Sequence, residues 1–173
     1  MVIWFIGLSR AGKTTLSKLL YKKLKPNIEN LVLLDGDNIR NLFKNDIDHS
    51  LEGRYKNAER ISYLSKFLAD QNIHVIAAVL SIFPEWQEWN RKNIKNYQEI
   101  YIKASMDVLQ KRDDNNLYLN AREGKIKNVV GIDIPFPEPK NPDLIIENNI
   151  DRDDFSSMIN KVLSLEIIKN LPQ

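Results

Sequence analysis

The chain has 173 residues, of which 43% are hydrophobic and 28% are charged, and these fractions are typical of a single globular domain. Its formal net charge of +2 argues against a broad basic surface for nucleic acid. The absence of cysteine excludes disulfides and thiolate metal sites. No apolar run approaches a membrane span, and no signal peptide precedes the first apolar run at residue 2. We therefore expect one cytoplasmic domain, residues 1–173, with neither a nucleic-acid nor a membrane partner.

The first apolar run and the residues after it carry the clearest signal. Residues 2–6 predict a buried strand, helical spacing begins at Thr14, and Gly-Leu-Ser-Arg-Ala-Gly-Lys-Thr lies at 7–14. This is the G-x-x-x-x-G-K-[ST] phosphate loop, in which glycines let successive N–H groups turn toward one anion near a helix N-terminus. A glycine turn before an ordinary helix is the structural alternative. We expect Lys13 to reach the β- and γ-phosphates of ATP and Thr14 to bind Mg²⁺. The predicted ATP-binding residues of the loop are Gly7, Leu8, Ser9, Arg10, Ala11, Gly12, Lys13, Thr14 and Thr15.

Strand-like and helix-like segments alternate along the rest of the chain. Further strands are predicted at 31–34, 75–80, 99–102 and 144–146, and helices at 14–24, 38–44, 54–71, 85–97, 106–112 and 151–169. This alternation predicts an α/β fold of the P-loop nucleoside-triphosphate hydrolase class, with a parallel five-stranded sheet covered on both faces. The polar stretch 113–142 predicts a lid, because long loops in compact domains are usually lids or binding loops.

Several single residues receive a structural interpretation. Asp151 is a plausible cap of the closing helix. Trp86 and Trp89 are three residues apart, which favours a core or subunit contact over ligand stacking. His74 lies just before a predicted strand and is interpreted as structural.

Two carboxylates follow the second predicted strand. Asp35 and Asp37 come directly after the run at 31–34, and Gly36 lets the backbone turn while both side chains stay near the strand end. Ligands of open α/β sheets lie beyond the carboxyl ends of the strands, so we expect this pair beside the phosphate loop. Mg²⁺ needs an acidic outer shell, and an acceptor hydroxyl needs a base. The alternative is a turn in which Asp37 caps the helix at 38–44. The predicted catalytic residues are Asp37, Asp35 and Lys13.

Five separated motifs resemble those of the adenylylsulfate kinase family. They are Gly-Leu-Ser-x-x-Gly-Lys-Thr-Thr at 7–15, Leu-Asp-Gly-Asp-Asn-Ile-Arg at 34–40, Arg54 with Asn57 and Arg60, Leu-Tyr-x-x-Ala-Arg at 117–122, and Gly-Ile-Asp-x-Pro-Phe at 131–136. They cover nearly the whole chain in order. The resemblance implies a nucleotide-kinase-like fold with a lid, a homodimer, and MgATP-dependent phosphorylation of a ribose 3′-hydroxyl. The acceptor would be a nucleotide whose 5′-phosphate carries another group in an anhydride.

The same resemblance implies roles for individual residues. Asp35 would order the waters on Mg²⁺, and Asp37 would orient the 3′-hydroxyl or accept its proton. Arg112 and Arg122 would bind ATP, one near its base and one near its phosphates. The implied acceptor-binding residues are Asp37, Arg40, His49, Arg54, Asn57, Ser81, Lys127 and Val129. Arginines at 40 and 54 would clamp the anionic 5′ group, since a planar fork matches phosphate oxygens. For any single arginine, a solvated helix face is the alternative.

The chain departs from the family pattern on the acceptor side. His49 and Val129 stand where the family has two phenylalanines that stack on the acceptor adenine, and no arginine follows Ser81 after the third strand. Without both rings an adenine site is weaker, since base–aromatic stacking contributes about 1–3 kcal/mol per face. A smaller base such as cytosine fits one imidazole and one valine. Arg10 replaces a common glycine in the phosphate loop and leaves the prediction of ATP binding intact.

Three functional interpretations remain. Ser-Ile-Phe at 81–83 and Trp-Asn-Arg at 89–91 resemble the adenylylsulfate-kinase-like enzymes of bacterial surface-polysaccharide pathways, such as cytidine diphosphoramidate kinase. We favour a cytidine 5′-diphosphoramidate acceptor, with adenylylsulfate as the alternative. An inactive ATP-gated binding module is the alternative of another class, and the retained aspartate pair argues against it. Ser81 either lines the acceptor site or is an ordinary polar residue at the end of a strand. Direct transfer from ATP to a positioned hydroxyl needs no phosphoserine intermediate, so we assign Ser81 no covalent role.

Overall fold

A parallel sheet of five strands forms the centre of the computed structural model, which describes residues 1–150 and 155–171. The strands are β1 (Val2–Ile6), β2 (Leu31–Asp35), β3 (His74–Val79), β4 (Tyr97–Lys103) and β5 (Leu144–Glu147). They lie in the order β2-β3-β1-β4-β5, and each neighbouring pair is parallel. Every predicted strand is present, and the predicted α/β fold is confirmed.

Helices cover both faces of this sheet. They are α1 (Lys13–Leu24), α2 (Gly36–Leu42), α3 (Leu51–Asp70), α4 (Pro84–Asn93), α5 (Met106–Lys111), α6 (Leu117–Arg122), α7 (Ser156–Leu163) and α8 (Glu166–Lys169). Alternate residues of β1 face opposite sides, as the period of a strand requires. Ile3 packs with Leu16 of α1 in one core, whereas Trp4 packs with Ile61 of α3 in the other. None of these described helices is long and apolar enough to cross a membrane.

The strand order places β3 between the two strands that carry the predicted site. Gly7 follows β1, Asp35 ends β2, and Asp35 is in register with Ala78 of β3. Neighbouring strands are about 4.8 Å apart, so the backbone ends of β1 and β2 stand roughly 10 Å apart on either side of β3, and only side chains can bridge that distance. The space above the end of β3 therefore separates the two halves of the site.

The fourth helix is shorter than its spacing predicts. The segment 85–97 has helical spacing, but α4 ends at Asn93. Asn96 adopts a left-handed φ of 57°, and Tyr97 begins β4, where it pairs with Val2. The prediction was wrong over the last residues because Ile94 is already extended, with φ −107° and ψ 115°, and the spacing of side chains does not reveal where the backbone leaves the helix.

The described chain closes with two helices rather than one. The helix predicted at 151–169 is divided into α7 and α8, because Leu165 between them is extended, with φ −62° and ψ 132°. Its predicted cap, Asp151, lies outside the described residues. Met158 and Val162 of α7 pack into the same core as Leu16 of α1. This segment therefore still covers one face of the sheet.

The stretch predicted as a lid, residues 113–142, is held by its own hydrogen bonds. Asp113 accepts a hydrogen bond from the backbone N–H of Tyr118 at 2.8 Å, at the start of α6. Farther along, the Asp133 carboxylate accepts hydrogen bonds from the backbone N–H groups of Asn128 and Val129, both at 2.6 Å. These bonds fix the shape of the segment where it borders the site.

Candidate active site

A cleft of about 930 Å³ opens at the carboxyl ends of the strands, between the phosphate loop and the tip of β2. Ligands of open α/β sheets bind at this position. The predicted site residues that line it are Ser9, Arg10, Gly12, Lys13, Thr14, Thr15, Asp35, Asp37, Arg40, His49, Arg54, Asn57, Ser81, Arg112, Lys127 and Val129. Gly7 and Ala11 are buried, Leu8 is half-buried, and Arg122 is exposed, and none of these four lines the cleft.

The phosphate loop packs tightly at both of its glycines. A Cβ on Gly7 would lie 2.6 Å from the carbonyl oxygen of Ile102 in β4. Gly12 has a φ of +106°, which favours glycine, and a Cβ there would lie 2.9 Å from Nδ2 of Asn148. The backbone at the end of β4 and the side chain that follows β5 therefore leave no room for a larger residue at either glycine of the loop.

Lys13 begins α1 and reaches back over the loop. Its ammonium donates a hydrogen bond to the backbone carbonyl of Leu8 at 2.7 Å. Burial lowers the pKa of Lys13 to about 8, against the opposing effect of the Asp35 and Asp37 carboxylates. Because a buried ammonium is stabilised by negative charge, this position favours a bound phosphate.

Asp35 connects the first turn of α1 to the acidic strand tip. Its side chain is buried, and Oδ2 accepts a hydrogen bond from the Thr14 hydroxyl at 2.8 Å. Its Oδ1 accepts from the backbone N–H of Asp37 at 3.0 Å, which makes Asp35 the N-cap of α2. The helix predicted at 38–44 therefore begins at Gly36, and the alternative in which Asp37 is its cap was wrong.

The two aspartates differ in their surroundings. Asp37 is exposed in the cleft, and its carboxylate accepts no hydrogen bond from the described residues. It is therefore open to an acceptor hydroxyl. Thr14 Oγ1 and Asp35 Oδ2 are hard oxygen donors, and Mg²⁺ binds through one or two such groups together with substrate phosphates. These two residues fit the ion that accompanies ATP.

Two arginines, Arg40 and Arg54, line the part of the cleft that is predicted to bind the acceptor. Arg40, which is 6% exposed, donates a hydrogen bond to the carbonyl of Asp48 at 2.8 Å. Arg54 donates to the carbonyls of His49 at 2.9 Å and Asn128 at 2.7 Å. Burial, followed by the charge of Arg40, lowers the pKa of Arg54. Two guanidinium groups that repel each other are stabilised by an anion, so this end suits a phosphate-like group.

His49 and Asn57 offer neutral hydrogen-bonding groups beside these arginines. Burial, followed by the charges of Arg40 and Arg54, lowers the pKa of His49, which favours the neutral form of its imidazole. Asn57 donates from Nδ2 to the carbonyl of Gly36 at 3.2 Å, and its buried Oδ1 has no hydrogen-bond partner among the described residues. A buried acceptor without a partner, on the wall of a cleft, suits a ligand that donates.

Ser81 lies at the end of β3, on the floor of the cleft. It has a left-handed φ of 56°, and its hydroxyl oxygen accepts hydrogen bonds at 3.4 Å from Trp4 Nε1 and from Gln87 Nε2. Phe83 also lines the cleft and packs edge-on against Tyr55, with 5.1 Å between ring centroids. Sequence reasoning did not assign Phe83 to the site, although it stands just beyond a strand end.

Three residues given structural interpretations lie away from the cleft. Trp86 and Trp89 pack against each other and against Tyr63, between α3 and α4. His74 Nδ1 lies 3.1 Å from the terminal amine of Met1. None of these side chains lines the cleft, as expected.

Two residues that flank the predicted lid, Arg112 and Asn148, form hydrogen bonds that support the phosphate loop. Arg112 lines the cleft and donates hydrogen bonds to the carbonyls of Asn148 and Ile150, both at 3.0 Å. Asn148 in turn donates from Nδ2 to the carbonyl of Ala11 at 2.8 Å. Sequence reasoning missed Asn148, because nothing near it in the chain marks a contact with the loop. The predicted contact between Arg122 and ATP stays a prediction.

The fold and the site together define a P-loop kinase. A family model described as adenylylsulphate kinase matches residues 1–147. The chain therefore belongs to the adenylylsulphate kinase family, and it is a phosphotransferase with an alcohol group as acceptor. The resemblance noted in the sequence is confirmed.

Relatives of two named activities are similar to the chain. It is 43% identical to cytidine diphosphoramidate kinase of Campylobacter jejuni over 148 residues, which are 86% of each sequence. It is 38% identical to adenylyl-sulfate kinase of Prochlorococcus marinus over 173 residues, covering 98% of this chain and 86% of the relative. The structure of the Mycobacterium tuberculosis APS kinase in complex with AMPPNP and APS superimposes with a TM-score of 0.83 at 31% identity, covering 97% of this chain and 96% of the other. Relatives with similar sequence identity to this chain therefore carry names of kinases with different acceptors.

Proposed function

We propose that this chain transfers the γ-phosphoryl group of ATP to the 3′-hydroxyl of cytidine 5′-diphosphoramidate. The observation that carries the proposal is the composition of the acceptor end, where Arg40 and Arg54 lie beside a neutral His49 and a small Val129. The arginine pair suits an anionic 5′ group, and a site with one imidazole and one small valine suits a pyrimidine base. The similarity to the Campylobacter jejuni kinase supports this choice.

The chemistry is an in-line displacement at phosphorus. The acceptor O3′ forms a bond to the γ-phosphorus while the bond from that phosphorus to the β–γ bridging oxygen breaks. The 3′-hydroxyl proton passes to the Asp37 carboxylate, which is exposed in the cleft and is not engaged by other described residues. The products are ADP and the 3′-phosphorylated nucleotide. Catalysis rests mainly on positioning and on charge stabilisation.

The donor side would hold the triphosphate by charge and by backbone N–H groups. Lys13 would bind the β- and γ-phosphates, and its lowered pKa is expected to rise when they are present. Thr14 would bind Mg²⁺ and Asp35 would order the waters on it, and the ion, when bound, neutralises charge on the phosphates. The phosphate loop and α1 position these groups before ATP arrives.

Adenylylsulfate is the second candidate acceptor. Phe83 gives the cleft one aromatic face on which an adenine can stack. The structural neighbour that binds APS covers nearly the whole chain, which also supports this candidate. Both acceptors share the 3′-hydroxyl and an anionic 5′ group, so the base and the 5′ substituent separate them.

A panel of acceptors tests the proposal. Purified protein with MgATP is given cytidine 5′-diphosphoramidate, CDP, adenylylsulfate or ADP; product formation is followed by mass spectrometry. We expect kcat/KM for the cytidine diphosphoramidate to exceed that for adenylylsulfate by about tenfold, roughly the effect of 1.4 kcal/mol. CDP is the matched control for the 5′ group, and Lys13→Ala controls for contaminating kinases. A higher kcat/KM for adenylylsulfate establishes the second candidate instead.

The proposal includes a homodimer that acts in the cytoplasm, where ATP is supplied. Light scattering checks the first part, since a dimer has twice the chain mass of 20.2 kDa. A mass equal to that of one chain contradicts it. Cell fractionation checks the second part.

A further inference from the structure

Arg10 has a backbone conformation that most side chains avoid. Its φ is 65°, in the left-handed region, in the middle of the phosphate loop. Glycine adopts this conformation most easily. A bulky residue held in such a conformation at a substrate site points to a use for its side chain.

The base of the lid holds Arg10 through a buried carboxylate. Asp113 is 7% exposed, and its Oδ1 lies 3.6 Å from Arg10 Nε. The other oxygen, Oδ2, accepts the hydrogen bond from the backbone N–H of Tyr118. The Tyr118 hydroxyl donates to the carbonyl of Ser9 at 2.8 Å. Two consecutive residues of the phosphate loop are therefore attached to the start of the lid.

The ion pair leaves the outer end of the guanidinium available. Arg10 approaches Asp113 most closely through Nε, and its terminal nitrogens make no hydrogen bond to the described residues. Its side chain is 33% exposed and lines the same cleft as Lys13. The other lid-region arginines are placed differently, because Arg112 binds backbone carbonyls and Arg122 lies outside the cleft.

We propose that Arg10 is a catalytic residue whose terminal guanidinium nitrogens donate hydrogen bonds to oxygens of the γ-phosphoryl group. Asp113 is the positioning residue that holds the Nε edge of Arg10. This inference rests on the proposed use of ATP as donor, and it adds no covalent step. As the bond to the bridging oxygen breaks, the guanidinium stabilises the charge on the transferring group.

Two substitutions at one position separate catalysis from folding. Arg10→Gly removes the guanidinium and suits a φ of 65°, which offsets part of the destabilisation caused by leaving the buried Asp113 carboxylate unpaired, and thermal melting checks that the variant is folded at the assay temperature. We expect kcat to fall by about 100-fold or more, as when an arginine that contacts a transferring phosphoryl group is removed. Arg10→Lys keeps the charge without the fork and should recover part of that loss. Lys23→Ala removes the same charge from an exposed position on α1, and kcat should be unchanged.

A binding measurement makes the test independent of the acceptor. Calorimetry compares MgAMPPNP with MgADP, which differ in the γ-phosphoryl group. Arg10→Gly should reduce the preference for AMPPNP by about tenfold, and Asp113→Asn by a smaller factor. If no acceptor in the panel is phosphorylated, the proposed function fails, while this ratio still decides the role of Arg10. A preference in Arg10→Gly equal to that of the unmodified chain overturns the inference.

Discussion

The Thr14 hydroxyl donates a 2.8 Å hydrogen bond to Asp35 Oδ2, which joins the first turn of α1 to the end of β2 across the intervening strand β3. This contact brings a hydroxyl and a carboxylate to one place at the centre of the cleft. Asp35 also caps α2 and so orients the chain at Asp37. One buried side chain therefore links the proposed metal site to the proposed base.

Replacing the proposed base should stop transfer without stopping ATP binding. Asp37→Asn keeps the shape of the side chain but cannot take a proton, so kcat should fall by about 10²–10⁴-fold. Kinetics with the preferred acceptor and calorimetry with MgAMPPNP measure the two effects. Asp70→Asn is the matched control, because that exposed aspartate at the end of α3 pairs with Lys66 and does not line the cleft. Turnover close to that of the unmodified chain would refute the role of Asp37.

Rebuilding the aromatic pair should move the acceptor preference toward adenine. His49→Phe combined with Val129→Phe offers two stacking faces, so the kcat/KM ratio of adenylylsulfate to cytidine diphosphoramidate should rise by about tenfold. Val129 is 5% exposed, and overpacking costs about 1–3 kcal/mol, so thermal melting accompanies the kinetics. His49→Phe alone is the variant with no such risk. A ratio unchanged in both variants means that the base binds elsewhere.

The lowered pKa of Lys13 predicts a pH dependence of ATP capture. In the free protein Lys13 loses its charge as pH rises through about 8, so kcat/KM for ATP should decline above that pH. Bound phosphate raises the pKa again, so kcat should decline only at higher pH. Initial rates measured from about pH 6.5 to about pH 10 separate the pH profile of kcat/KM from that of kcat. Parallel decline of kcat and kcat/KM would contradict the assignment.

Removing the side chain behind the phosphate loop should destabilise the protein. Asn148 is 2% exposed and donates to the carbonyl of Ala11, so Asn148→Ala leaves a buried carbonyl unpaired. The free energy of unfolding should fall by about 1–3 kcal/mol, measured by urea denaturation. Asn115→Ala, at an exposed position, should leave it unchanged. Equal stability of both variants would show that the Asn148 contact contributes little.

Local patterns predicted the parts of the protein whose chemistry is local. The strand at 2–6 and the phosphate loop were predicted because buried parallel strands are continuous apolar runs and the loop is a fixed spacing of residue types. The helix predicted at 85–97 was wrong at its end, since the extended backbone at Ile94 leaves the spacing of side chains unchanged. Asp35 was correctly placed beside the loop, but its capping of α2 depends on where the helix begins.

The sequence by itself determined the individual strands, the phosphate loop and the acidic strand tip, because each rests on residues close together in the chain. Only the tertiary structure decided which side chains reach the cleft. Tyr118 and Ser9 are 109 residues apart yet share a hydrogen bond, and Asp113 beside them holds Arg10 toward the site. Arg122 belongs to a recognisable motif but lies outside the cleft. The direction of a side chain depends on partners that folding brings from distant positions, and spacing along the chain carries no record of them.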